Sequence, residues 1–392
     1  DRRLMRIVII IAFALWSSIA AAQEVVSIAL LGLDPDPRYD EAIAYARIEN
    51  GRQGDPQIAA RMAMEDLLLL TDARGVNIGF SAVRVADEAA LPTATRQLAD
   101  SGNRYLILDL PAKEADAVAV ALGPNGPLLI NTTAPEDWLR RRCHARMLHT
   151  AASDRMIADA LVQHFVKMRW ERVLVLHGKT DRDIARAASF AEAAARFRLR
   201  IVATREFDLS TNPALREQNN VALLTGDIRE YDAVFIADSF GEFSRYLPYR
   251  TALPRPVVGA TDLVPLEWHW SLERYGAPQV NSRFETAVGD SRRMTWQDWS
   301  VWIAMRALLT AEAKSLERDP NAIEAFLRSD ALRLDGSKGA QLSFRPWDNQ
   351  LRQPILLATA NAIIGMAPLE GFLHQTNTLD SLGVDAPEFA CD

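Results

Sequence analysis

Short continuous apolar runs alternate along this chain with longer stretches in which apolar residues recur at helical spacing. Residues 26–33 form the first run, and residues 76–85, 105–110 and 128–131 form three more. Between them, residues 56–70 place Ile58, Ala59, Met62, Ala63 and Leu67 on one helical face, with Asp55 as the N-cap. Residues 91–99 and 113–122 are helical as well. Strands separated by helices of this length predict a parallel sheet with right-handed crossovers.

The pattern then restarts. Residues 154–168 predict a helix capped by Ser153, and residues 173–177 a strand. A long Ala-rich helix follows at 181–197, then strands at 201–207, 233–238 and 257–260, with a helical stretch at 241–249. The predicted fold class is therefore α/β, with two doubly wound, Rossmann-like lobes in tandem. They meet at a hinge near residues 149–152 and leave a cleft between them. In open parallel sheets, ligands bind beyond the carboxyl ends of the strands, so the loops there are the candidate site.

The final third departs from strict alternation. Residues 295–312 predict a helix with Trp296, Trp299 and Trp302 at spacing three, joined by Met305 and Leu309. A core-facing stripe is the expected meaning, and an aromatic ligand platform the alternative. A short helix at 321–327 precedes a hairpin-like pair of strands, 342–344 and 355–358, around Trp347-Asp348-Asn349. The last 25 residues show little periodicity and read as a tail. These segments give a first lobe of residues 23–148 plus about 266–335, a second lobe of 149–265 plus about 336–365, and a tail at 366–392.

The start of the chain changes the picture most. A basic head (Arg2, Arg3, Arg6), an apolar run from Ile7 to Trp16 and a small-residue ending at Ala20-Ala21-Ala22 have the three parts of a secretion signal. Met5 is the expected natural start, and cleavage is expected after Ala22, giving an exported product. The apolar run is about ten residues, against about twenty for a spanning helix. No Cys adjoins the cleavage site, so a lipid anchor is not expected. Removing residues 1–22 takes three of the 44 basic and one of the 51 acidic residues, so the balance becomes more acidic than the full chain's net −7. That sign disfavours a nucleic-acid partner, because phosphate binding needs a basic surface.

Chemistry in the sequence is sparse. There is no G-x-S-x-G elbow, H-E-x-x-H pair, Walker loop or G-x-G-x-x-G turn, so neither an enzyme nor a resident cofactor is expected. Cys143 and Cys391 in an oxidising compartment are expected to form a disulfide; a reactive thiol helped by His144 is the other reading. Among the six histidines, His177 ends a strand toward the cleft. Asp34, Asp36, Asp40 and Glu41 begin with a D-x-D pattern suited to a hard cation, but lack the calcium-loop Gly and closing Glu. A solvated turn is the expected fate, and no metal site is assigned. Glu267-Trp268-His269-Trp270 either lines the cleft rim or packs beneath the hinge.

This order of elements resembles the type I periplasmic binding proteins of the branched-chain amino-acid group. Gly336-Ser337-Lys338-Gly339-Ala340-Gln341-Leu342-Ser343-Phe344 is similar to that family's G-x-x-G-x-h-x-F hairpin, where h is apolar. The Trp-rich helix falls where the family has its helix before that hairpin. His149-Thr150 with Ser153-Asp154 resembles the crossover between lobes. The stretches Phe344 to Pro354 and Phe372 to Asn377 further resemble a subfamily encoded with alcohol-oxidising systems that use pyrroloquinoline quinone.

The resemblance implies capture of a small solute by hinge closure for the membrane permease of an ABC transporter. It also implies an association with a periplasmic alcohol dehydrogenase system. It carries the ligand site onto Asn131, Thr132 and Thr133 in the first lobe. In the second lobe it carries it onto Ser153, Asp154, Thr180, Asp181, Asp238, Ser239, Phe240, Thr261 and Asp262. Relatives place Ser or Thr where this chain has Leu110-Pro111-Ala112, which argues against a simple leucine-like ligand. The second reading on the same fold is a periplasmic sensor or accessory factor that delivers pyrroloquinoline quinone, calcium or a lanthanide to an exported dehydrogenase.

Overall fold

A computed structural model describes residues 25–39, 54–208, 214, 219–248, 250–289 and 292–392. The expected secretion signal, Asp40 and Glu41 lie outside the described residues.

Five parallel strands make the first sheet: β1 (Val25–Leu33), β2 (Asn77–Val85), β3 (Asn103–Asp109), β4 (Leu128–Asn131) and β5 (Met147–His149), in the order β2-β1-β3-β4-β5. Ile28, Leu30, Ile107 and Ile130 face one core, and Ala29, Leu31, Leu108 and Leu129 face the other. That two-residue alternation, with both faces covered, explains why the strands read as unbroken apolar runs. The second sheet is β6 (Arg172–His177), β7 (Arg200–Glu206), β8 (Ala233–Ala237) and β9 (Val257–Val258), ordered β7-β6-β8-β9. It repeats the arrangement: Val173, Val175 and Phe235 face one core, Leu174, Leu176 and Ile236 the other.

Local signals set several helix starts. The Asp55 carboxylate accepts the Gln57 amide at 3.0 Å ahead of helix Gln57–Ala73. The Ser153 hydroxyl accepts the Met156 amide at 3.3 Å and caps helix Asp154–Met168. The segment read as helical at 241–249 forms only a short 3-10 turn, Ser244–Tyr246. There the Asp238 carboxylate takes the Gly241 and Ser244 amides at 3.0 and 2.9 Å, fixing a loop in place of a helical turn.

Helix Trp296–Lys314 is buried on almost every side, and packs on helix Gln57–Ala73 in the first-lobe core. Trp299 and Trp302 lie in that core, with their indole N–H groups donating to the Gly336 carbonyl and to Asp66, each at 3.0 Å. Trp296 is only half-buried.

The remaining strands are β10 (Val264–Leu266), β11 (Leu334–Asp335), β12 (Gln341–Phe344), β13 (Leu351–Arg352), β14 (Ile355–Ala358) and β15 (Ile363–Ala367). Their pairing differs from the expected hairpin. β12 pairs with β11 and β13, while β14 pairs with β10 and β15. Asn349, at φ 57°, turns the chain so tightly that Leu351 falls opposite Phe344. Pro354, which has no N–H to give, lies between β13 and β14.

Core membership divides the C-terminal segment as well. Leu342, Phe344 and Leu351 join the first-lobe core, and Ile355, Ala367, Leu369 and Leu382 join the second. Residues 379–383, read as tail, are anchored by polar contacts. Asp380 is 1% exposed and accepts from Arg345 at 2.8 Å and from Arg352 at 2.8 and 3.0 Å. The Gly383 amide donates to Asp159 at 2.8 Å.

Three chain crossings join the lobes, and side chains tie them together. Gln353 donates to the Thr150 carbonyl at 2.8 Å. Lys338 donates to Gln353 Oε1, the Glu267 carbonyl and the Pro354 carbonyl at 2.7, 2.9 and 2.9 Å, its ammonium 3.7 Å from the Trp299 ring centroid. Gln350 holds the Ala151 carbonyl at 2.9 Å and accepts from Arg140 at 3.0 Å. Cys143 and Cys391 are joined in a disulfide, with Cα atoms 5.7 Å apart.

Candidate functional site

Between the two sheets lies a cavity of about 390 Å³, walled by loops at the carboxyl ends of the strands. After β1 come Arg38 and Tyr39, after β3 Pro111, and after β4 Thr133 to Glu136. The second lobe contributes Arg182 and Arg186 from the start of helix Asp181–Arg196. It also contributes Asp238, Ser239, Ser244 and Arg245 after β8, and Thr261 after β9. Glu267, Trp296 and Gln297 close the floor near the hinge.

Of the twelve expected ligand residues, Thr133, Asp238, Ser239 and Thr261 line this cavity. The others sit around it with different partners. Asn131 donates to the Ala134 carbonyl at 2.7 Å and accepts its amide at 2.9 Å, and Thr132 donates to the Leu108 carbonyl at 2.9 Å. Both build the β4 loop from beneath. Ser153 and Thr180 cap their helices. Asp154 grips Arg182 through both oxygens. Asp181 is exposed beside Lys113. Phe240 is 43% exposed and outside the lining, and Asp262 occupies a positive-φ turn before β10. His177 contacts the Gly178 carbonyl at 2.8 Å and does not line the cavity.

The acidic stretch after β1 has a different use. Asp36 accepts from the Arg38 guanidinium, which also donates to Thr133 at 2.9 Å and to Asp109 at 3.1 Å. Tyr39 donates to the same Asp109 at 2.6 Å, and Arg84 to its other oxygen at 2.9 Å. Asp36 therefore neutralises an arginine. Burial works against the charge on Arg38, but Asp109 and Asp36 outweigh it and hold the guanidinium above its usual range. Burial beside Asp109 pushes the Tyr39 phenol well up.

The cavity's cations were not among the expected ligand residues. Arg182 and Arg186 are one helical turn apart, just beyond the Thr180-Asp181 pair that was. Arg182 is paired with Asp154. Arg186 has no carboxylate partner among the described residues, and its hydrogen bond goes to the Gly259 carbonyl at 3.3 Å. Burial and the neighbouring Arg182 lower its pKa.

Several residues of the cavity wall also hold unpartnered polar atoms. Among the described residues, seven buried side-chain polar atoms lack a hydrogen-bond partner. Four of them, in Glu136, Ser244, Glu267 and Gln297, belong to residues lining this cavity. An unsatisfied buried polar atom costs about 1–3 kcal/mol, so such a cluster is normally kept for something that binds there.

Glu267 is 3% exposed; one oxygen accepts the Ala152 amide at 2.8 Å and the other is unpaired. Burial pushes its pKa up to about 8, so at neutral pH it is a neutral donor. The folded protein then holds this proton more tightly than the unfolded chain, whose value is near 4.5. The associated stability is complete below the unfolded value and lost as pH rises through about 8. Relative to Glu267→Gln, the wild-type unfolding free energy should fall between those two values and then level. Parallel pH profiles for the two proteins would show that Glu267 is not the group responsible.

No protein-family model matches the sequence, and no curated protein matches it. Solved structures do match. One is a branched-chain amino acid ABC transporter periplasmic ligand-binding protein from Burkholderia xenovorans LB400, with TM-score 0.69 and 12% identity over 87% of this chain and 95% of that one. An ABC transporter solute-binding protein from R. palustris in complex with benzoate superposes with TM-score 0.65 and 14% identity, covering 94% of this chain and all (100%) of that one. An ABC transporter substrate-binding protein from Desulfitobacterium hafniense in complex with Leu gives 0.66 and 14%, covering 87% and 99%. With its two parallel sheets, three crossings and a cavity between the strand ends, the chain has the fold of the type I periplasmic binding proteins.

Proposed function

We propose that this protein is a periplasmic solute-binding protein, which captures a small organic solute between its lobes and presents it to the membrane permease of an ABC transporter. Four residues that line one interlobe cavity each hold a buried, unpartnered polar atom, and this carries the reading. A solute that satisfies groups from both lobes stabilises the closed arrangement by its differential affinity for it, and no bond is made or broken. Proteins of this fold hold benzoate and Leu in the complexes above, which makes a solute of that size the natural first probe. The association with pyrroloquinoline-quinone-dependent alcohol oxidation belongs to the same proposal, on the strength of the Phe344 to Pro354 and Phe372 to Asn377 stretches.

Thermal-shift screening against amino acids, short alcohols and organic acids, followed by small-angle scattering of the hits, tests it. At least one solute should raise the melting temperature and shrink the radius of gyration. A set of hits that leave the radius unchanged would count against closure. Trp296, half-buried in the cavity wall, supplies apolar contact area, so Trp296→Ala should weaken the best hit about tenfold by calorimetry. Unchanged affinity would remove Trp296 from the site.

A further inference from the structure

Resting on the capture reading, we infer that the ligand is a small organic carboxylate with an apolar body, and that Arg186 of the second lobe holds its carboxylate. The charge pattern of the cavity leads there. Arg38 is matched by Asp36 and Asp109, and Arg182 by both oxygens of Asp154. Arg186 faces the same space with a single carbonyl contact at 3.3 Å and no ion-pair partner among the described residues. Asp154, Asp183 and Asp238 lie near enough to favour its charge, but none forms an ion pair with it among the described residues, and a planar carboxylate fits its open donor fork in a two-pronged geometry.

The surroundings narrow the class. Of Arg38, Arg182 and Arg186, only Arg186 lacks an ion pair among the described residues, and its single donor fork suits one carboxylate better than a phosphate monoester with two charges. The Ser244 hydroxyl, in the same wall, has no partner among the described residues. Glu267, neutral at pH 7, adds a donor where an ionised carboxylate would repel one. Ile157, Ala260, Val264 and Trp296 form an apolar wall for the rest of the molecule.

The first-lobe side chains expected at the site are otherwise committed. Thr133 accepts from Arg38 while donating to the Leu110 carbonyl at 3.3 Å, and Asn131 and Thr132 are committed to backbone. The anion anchor therefore lies in the second lobe.

The test is calorimetry of the full chain with benzoate and 4-methylpentanoate against their uncharged counterparts, benzyl alcohol and 4-methyl-1-pentanol. It is repeated on Arg186→Met and Arg186→Lys, with circular dichroism to confirm folding. Carboxylates should bind and the alcohols should not. Arg186→Met should cost at least thirtyfold, and Arg186→Lys should retain part of the affinity. If the alcohols bind as tightly as the acids, or the folded Arg186→Met variant binds the acids unchanged, the carboxylate assignment is overturned while solute capture stands. If neither acids nor alcohols bind, and the amino acids of the wider screen also give nothing, both readings are overturned. Should Arg186→Met fail to fold, the wild-type comparison of acids with alcohols still decides.

Discussion

Asp380→Asn is expected to lower the unfolding free energy by roughly 3–5 kcal/mol, the range for removing one partner from a buried ion pair. The carboxylate is completely enclosed and faces two guanidiniums, Arg345 at 2.8 Å and Arg352 at 2.8 and 3.0 Å. Both arginines are themselves buried, at 2% and 8% exposure. An amide of the same shape withdraws the negative charge and turns an N–H toward a donor, so two cations remain in a low-dielectric interior with too few acceptors. The Leu379 carbonyl, 3.2 Å from Arg345, and Asp348, 3.5 Å away, compensate only in part. The loss should appear in urea denaturation followed by tryptophan fluorescence, since Trp347 donates to the Val384 carbonyl of the same segment at 3.1 Å. A loss below about 1 kcal/mol would place this cluster among pairs that contribute little.

The same cluster shows which features the sequence made legible. Strands β1, β3, β4, β6 and β8 are buried on both faces, so their apolar runs stand out without any alignment. The Ser153 cap and the Trp-rich helix are local signals of the same kind. Residues 379–383 show no periodicity because they are held by Asp380, Arg345, Arg352 and Asp159, and polar anchoring leaves no hydrophobic pattern to read. The stretch from Phe344 to Pro354 is recognisable in the sequence, but its polar residues brace the crossings: Gln350 and Gln353 hold the first crossing's carbonyls, and Arg345 and Arg352 hold the tail. It therefore describes the scaffold more than the ligand.

The cavity was half legible for a related reason. Strand-end loops could be located, so Thr133, Asp238, Ser239 and Thr261 were within reach. Which side chain enters the cavity depends on pairings between separate elements of the same lobe. Thr133 is taken by Arg38, ninety-five residues away in sequence, and Arg182 by Asp154. Arg186 could have been found by stepping one helical turn on from Arg182, itself two residues past the Thr180 cap, a spacing that keeps the i and i+4 side chains on one face.

Removing the disulfide, by Cys143→Ser with Cys391→Ser, should cost about 4 kcal/mol, within the range for native bridges. The link spans 248 residues, and loop-closure entropy grows only with the logarithm of loop length, so the effect exceeds that of a short bridge but not in proportion. Most of it acts on the unfolded chain. In the folded protein the bridge adds little to its neighbours: the Asp392 amide reaches the Arg141 carbonyl at 2.9 Å, and the Arg141–Asp392 ion pair at 3.4 Å is half exposed. Leu379, Asp380 and Leu382 keep their own burial without it. The double variant should therefore bind solute with unchanged affinity while unfolding at lower urea, and limited proteolysis should now cut after Val384 and spare Asp380. Single serine variants would leave a free thiol and confuse the comparison. A stability change under about 1 kcal/mol would mean that the reduced unfolded chain already keeps its ends close, because the bridge makes too few contacts in the folded protein to mask a bigger entropic effect.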